Sequence, residues 1–289
     1  DGTTVEIVLE ETPFYAEAGG QDADRGTIVG DGFQLDVIDV HRPVPGIVVH
    51  RVEVFGELPV GAQAEARVDA AARHGACQAH TATHIVHAAL RELVGSNATQ
   101  AGSYNKPGYM RFDFSSPKGL SEQLKAEVEA KANEAIIANH AVTAQQIKLE
   151  EAKALGAMAM FGEKYPPIVR MVELAGPWSR ELCGGTHVAS TAEIGVLNLL
   201  SESSIGSGVR RVEALVSADA FAKFAAERAL VNQLTDTLRV QPDNLVGRIE
   251  KLVAQLKDAE KTIAKLQSEK LLAGAHVGAD LGHLILGHR

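Results

Sequence analysis

Hydrophobic positions change their period twice along this chain, and the changes divide it into regions of different architecture. Over residues 1–68 apolar residues fall at every second position. Val5, Ile7 and Leu9 alternate with polar neighbours, as do Phe33, Leu35 and Val37, the pattern of strands with one buried face. Gly30-Asp31-Gly32 separates TIV from FQLDVIDV as a hairpin turn would, and IVVHRVEVF and AQAEARVD supply further strands. Several short strands with little helix predict a small β-barrel.

From Asp69 the period mixes. Ile85, Ala88, Ala89 and Leu93 recur at helical spacing, with Gly95 as a C-terminal stop. YMRFDFSS reads as a strand with Met110, Phe112 and Phe114 on one face. Ser121 is placed to cap a helix striped by Leu124, Val128, Ala132 and Ile136. IVRMVEL, IGVLNLLSES and VRRVEALV read as extended. After Ser217 the pattern is helical: Leu245, Ile249, Leu252, Leu256, Ala259, Ile263 and Leu266 step by fours and threes, a short heptad seam following Pro242. A seam of about three heptads is short for strong self-association, so packing against a neighbouring helix of the same chain is the expectation. The expected class is α+β: a β-barrel over 1–68, a mixed α/β core over 69–216, and a coiled-coil-like helical segment over 217–275. Residues 276–289 change composition and read as the start of a further domain.

Apolar content of 45% supports a core, and no apolar run approaches a membrane span. The chain opens at Asp1, directly in a strand and with no signal peptide, so it reads as a piece of a longer polypeptide. Two cysteines, both near histidines, point to a reducing, cytoplasmic setting. The net charge of −9 argues against binding nucleic acid by overall charge. Arg210 and Arg211, with Arg73, Lys106, Arg111, Lys164 and Arg180 near the motifs, leave room for a local basic patch.

The chemistry lies in two short segments about a hundred positions apart. HTATH places His80 and His84 on one helix face, and CGGTH places Cys183 and His187 around Gly184 and Gly185, which allow a tight turn. One thiol and three imidazoles suit a borderline-soft divalent ion held tetrahedrally, zinc above others. A His pair at helical spacing is by itself a frequent coincidence, and the second segment is what raises it above one. Cys77 and His87 lie near the same helix face and are assigned to packing or support, with Cys77 a substitute ligand. A zinc peptidase would need Glu directly after the first His, where this chain has Thr81.

FYAEAGGQDADRG, HTATHIVHAAL, RFDFSS, GAMAMFGEKY, SRELCGGTHV and SESSIGSGVRRVEA, in this order, closely resemble the editing region of alanyl-tRNA synthetases over roughly residues 5–216. The helical segment beyond resembles that family's link to its C-terminal domain. The resemblance implies a hydrolase that cuts the ester of tRNA(Ala) mischarged with Ser or Gly, attached to the rest of the synthetase and itself incapable of ATP-dependent charging. It matches His80, His84, Cys183 and His187 to Zn2+ ligands, and Gln100 to a pocket glutamine. Gly19 and Gly20 match a glycine-rich loop beside that pocket. Arg210 is carried as a substrate contact, backbone N–H groups near Gly206 or Gly208 as positioning groups, and Gln100 and His187 as the catalytic members. Two departures stand out: Ala18, where relatives often carry a hydroxyl residue, and Cys77, where another type is expected. Zinc could activate a water at an open position or shape the pocket from a closed one, and an exchangeable site with His187 or a water as its variable member is the expectation. A freestanding trans-editing deacylase and a noncatalytic zinc-stabilised tRNA-binding module are the alternatives.

Overall fold

The computed structural model describes residues 2–159 and 165–286, with side chains through residue 272. Lys164 and part of the GAMAMFGEKY segment lie outside the described residues. Two compact units are present, 1–223 and 224–289.

The first unit opens with β1 (Thr3–Val8), β2 (Gly26–Gly30), β3 (Phe33–Val44), β4 (Ile47–Gly56) and β5 (Ala64–Val68), arranged antiparallel in the order β1-β4-β3-β2-β5. Asp31-Gly32 makes the predicted two-residue hairpin, with Gly30 opposite Phe33. The alternation buries Ile28, Leu35, Val37, Val40 and Val52 with Phe14 and Ala16 from the loop after β1. The predicted barrel is not formed: among the described residues β1 and β5 stand at opposite edges of an open sheet. Closure would require those edges to pair, and the buried face is covered instead by the loop after β1.

That loop also joins this sheet to the core. Asn105 N–H donates to Gly20 O at 2.6 Å and Asp22 N–H to Asn105 O at 3.0 Å. Gly20 permits the approach, since its φ of +80° is left-handed and a Cβ there would stand 2.3 Å from Ser103 O.

His50, fully buried on β4, pairs its Nε2 with Thr12 Oγ1 at 2.7 Å and sets its ring edge-on to Phe14. Burial lowers its pKa below the ordinary 6.5. The unfolded chain therefore takes up this proton first as pH falls, so the stability is present above the unfolded value and is lost below it. Urea melts between pH 5 and 8 should show stability falling below about pH 6.5, with at most about 1.4 kcal/mol per pH unit from one proton. A His50→Asn chain should show a shallower slope; an equal slope would remove His50 as the cause.

The core begins with α1 (Ala70–Leu93), capped by Asp69, whose side chain accepts from the N–H groups of Ala71 and Ala72. Small residues let it sink: every position from Ala79 to Leu90 is buried. β6 (Gln100–Lys106) and β7 (Tyr109–Ser115) follow, then α2 (Glu122–Ile137), capped by Ser121 as predicted. β8 (Val142–Lys148), a short α3 (Leu149–Ala154), β9 (Ile168–Leu174), β10 (Ser179–Leu182), β11 (Leu197–Gly206) and β12 (Val209–Val216) complete the unit. The strands form two sheets, β11-β12-β7-β6 and β10-β9-β8. Met110, Phe112 and Phe114 of β7 are fully buried against α1 residues Ile85, Val86 and Leu90 and α2 residues Val128 and Ala132.

Beyond β12, α4 (Ser217–Leu238) ends at Arg239, whose φ is +52°. A short 3₁₀ turn begins at Pro242 and leads into α5 (Leu245–Leu286). The heptad seam lies on α5, but it is not packed away as expected: Leu256 is 61% and Leu266 58% exposed. Backbone helix is continuous through residue 276, where the composition changes. Among the described residues no helix is long and apolar enough to cross a membrane.

Candidate metal centre

α1 presents His80 and His84 one turn apart, with their rings stacked at 5.3 Å between centroids. The turn leaving β10 brings Cys183 and His187 to them. Cys183 Sγ lies 3.3 Å from His80 Nε2 and 3.4 Å from His187 Nε2, and one ligand atom from each of the four residues lies within 4.8 Å of all the others. A tetrahedral zinc with bonds of roughly 2.0–2.3 Å separates its ligand atoms by about 3.3–3.8 Å. His84 Nε2 is buried with no hydrogen-bond partner among the described residues, which a metal ion at this point would supply. The donor set and spacing therefore fit such an ion. Gly185 is required by this packing: a Cβ there would lie 2.1 Å from His80 Cε1.

The electrostatics favour a cation. Burial alone would raise the Cys183 thiol, but His80, His187 and His84 around it hold its pKa well below the ordinary value. Burial presses His187 down to about 3. Burial also acts to lower His84, yet Glu181 and Cys183 outweigh it and lift this imidazole to about 10. A metal ion displaces that proton when His84 becomes a ligand.

His80, His84 and Cys183 border a cavity of about 860 Å³ between the loop after β1, α1, β6 and the β8–β9 region, and His187 stands behind them, outside its lining. Gln100, from the start of β6, lines it and donates from Nε2 to Ser103 Oγ at 3.1 Å. Gly19 and Ala18 line it from the loop after β1, while Gly20 holds that loop against β6. Arg210 is not among the lining residues: it stands on β12 with its guanidinium paired to both oxygens of Glu202, so the charge expected to meet substrate is met by that carboxylate. Gly206 and Gly208, in the β11–β12 hairpin, are likewise absent from the lining.

The predicted basic patch resolves into pairs. Arg211 forms a fork with Asp113 at 2.7 and 2.8 Å, Arg73 clamps Asp24, and Arg180 pairs with Glu173. Arg111 lies over Tyr104 and Lys106 over Tyr109. Cys77 is buried and its sulfur is not part of the ligand group. His87 Nδ1 lies 2.9 Å from Glu181 Oε1, a supporting position as expected.

Sequence reasoning missed several neighbours. Tyr15 lines the cavity and is raised to about 12 by burial and the Cys183 thiolate. Arg170 Nη1 donates to the carbonyls of Cys183 and Gly185 at 2.8 and 2.9 Å, bracing the turn. Gln21 and Glu181 touch the histidines directly. Gln21 adjoins the glycine pair and Glu181 precedes Cys183 by two, but neither spacing announces a role.

Residues 169–213, which include Cys183 and His187, match the family described as "Threonyl and Alanyl tRNA synthetase second additional domain". Residues 1–72 match "tRNA synthetases class II (A)". An alanine–tRNA ligase of Cutibacterium acnes is 65% identical over 94% of this chain and 30% of its own length. Those of Leifsonia xyli and Paenarthrobacter aurescens are each 55% identical, over 94% and 95% of the chain. The chain thus spans about a third of the length of these relatives, 30–31%. Motifs, family matches and identity agree: this chain belongs to the alanine–tRNA ligase family, as a segment carrying its second additional domain.

Proposed function

We propose that this segment edits: it hydrolyses the ester between serine or glycine and the 3′ adenosine of mischarged tRNA(Ala), with zinc held by His80, His84, Cys183 and His187. The observation that carries the reading is the convergence of one thiol and three imidazoles, three of the four residues lining a cavity, within a chain whose relatives charge tRNA with alanine. A synthetic site shaped for alanine rejects glycine and serine poorly, because one methyl or one added hydroxyl changes binding little. A second pocket that hydrogen-bonds the serine hydroxyl gains selectivity, since alanine leaves the buried partner unsatisfied at a cost of roughly 1–3 kcal/mol.

Bound zinc would supply Lewis acidity and lower the pKa of an attached water. The chain's own groups do the rest. His80 and His84 are fixed on a buried helix, whereas Cys183 and His187 stand half-buried on the turn, and His187 is the ligand proposed to exchange with water. Gln100 and Ser103 offer polar groups to the aminoacyl end, and Gly19 leaves room for it beside the loop after β1. The tRNA and the remainder of the synthetase are the expected partners.

The test is deacylation of Ser-tRNA(Ala) by the 289-residue chain. Turnover should be present in the zinc-loaded protein, vanish on chelation and return with zinc. A folded, zinc-loaded chain that leaves the ester intact would favour a noncatalytic tRNA-binding module and overturn the proposal.

A further inference from the structure

A neutral imidazole carries its proton on one nitrogen and offers a lone pair on the other, so a ligand histidine works only if something fixes which is which. Each of the three imidazoles at this centre turns Nδ1 to a different side chain, and in two cases the hydrogen-bond pattern decides the direction.

Gln21 Oε1 accepts from Thr186 N–H at 2.9 Å, while Gln21 Nε2 donates to Thr186 Oγ1 at 2.8 Å. The amide orientation is therefore set, and the atom 2.8 Å from His80 Nδ1 is an acceptor. His80 must carry its proton on Nδ1. Thr81 has one hydroxyl proton, and it goes to Cys77 O at 2.8 Å. Its lone pairs receive Val188 N–H at 3.2 Å and, also at 3.2 Å, His187 Nδ1, which must then carry a proton too. Beside His84 Nδ1, Glu181 Oε2 lies at 2.8 Å, an ion-pair contact that falls off the line of a hydrogen bond. For His80 and His187 this leaves Nε2 bare on the side of Cys183.

We propose that Gln21 and Thr81 are positioning residues for the metal centre, accepting the Nδ1 protons of His80 and His187 so that both Nε2 atoms face the ion, while Glu181 stands beside His84 as its ion-pair partner. The inference rests on the reading that the four-residue cluster holds zinc. Its least expected member is Gln21. It comes from the loop after β1, is fully buried, and reaches the CGGTH turn across 165 positions of sequence. The loop after β1 is thereby tied directly to the metal centre. Packing alone would not require an acceptor opposite Nδ1 of both His80 and His187, and Gln21 uses both ends of its amide in the arrangement.

The measurements use the whole 289-residue chain and zinc alone. Long-range ¹H–¹⁵N spectra of the zinc-loaded, unsubstituted protein should show the Nδ1–H tautomer at His80 and His187. An Nε2–H form at either overturns the assignment for that residue and needs no variant that could fail to fold. Gln21→Met keeps the length and removes the acceptor, and should weaken zinc binding about 10–100-fold against a competing chelator. Gln21→Glu restores an acceptor oxygen and should restore the affinity. If Gln21→Met folds and binds zinc as tightly as the parent, Gln21 has no positioning role. A parent chain that takes up no zinc defeats the metal reading and this inference together. Zinc uptake without deacylation leaves this inference standing and defeats only the editing reading.

Discussion

Cys183→Ala should strip zinc from the folded chain and abolish deacylation of Ser-tRNA(Ala). The thiol is the one anionic donor in the cluster, and its pKa is held well below the ordinary value by the histidines around it. Removing it leaves three imidazoles, His84 among them lifted towards protonation by Glu181. Loss of an outer acceptor costs about 10–100-fold in metal affinity, and loss of a direct ligand should exceed that. Cys183 sits on a turn and is only half-buried, so the fold should persist. Metal content by mass spectrometry, with circular dichroism as the control, reads the result. Unchanged zinc stoichiometry in Cys183→Ala would remove this residue from the ligand set.

Gly185→Ala should be nearly as severe although it deletes no functional atom. The new Cβ would stand 2.1 Å from His80 Cε1, 2.3 Å from His80 Nδ1 and 2.9 Å from Gln21 Oε1. None of these partners has room to retreat: His80 belongs to a helix buried from Ala79 to Leu90, and Gln21 is fully buried. Overpacking of this kind costs roughly 1–3 kcal/mol, and here it also drives His80 away from its acceptor. Zinc affinity should fall at least about tenfold, the lower bound for losing an outer acceptor. Gly184→Ala is the matched control, because a Cβ there meets nothing within 4 Å. Equal zinc affinity in the two variants would refute the steric argument.

Much of this was legible from pattern. Period-two alternation located β2, β3 and β4, the Gly-Asp-Gly turn fixed their hairpin, and helical spacing gave α1 and α2 with their residues of contact. The four clustered side chains could be named as candidate ligands because their types and short spacings are chemically unusual. Other features were not legible, for identifiable reasons. Alternation says which face of a strand is buried but not whether outer strands meet, so an open sheet was read as a barrel. A heptad seam says which face of α5 is apolar but not that a partner is at hand. Charge can be counted, but pairing depends on register: Arg211 meets Asp113 because the two stand directly opposite across β12 and β7. Gln21, Thr81 and Glu181 carry no local signature, since their roles arise from contacts with distant segments.

The burial of α1 governs how the centre comes apart. His80 and His84 ride on a shaft gripped along its length, while Cys183 and His187 hang from a strap pinned by Arg170, Gln21 and Thr81. Demetallation should therefore proceed as peeling, the strap lifting first while the shaft keeps its seat, so that an emptied centre remains a template ready to be refilled.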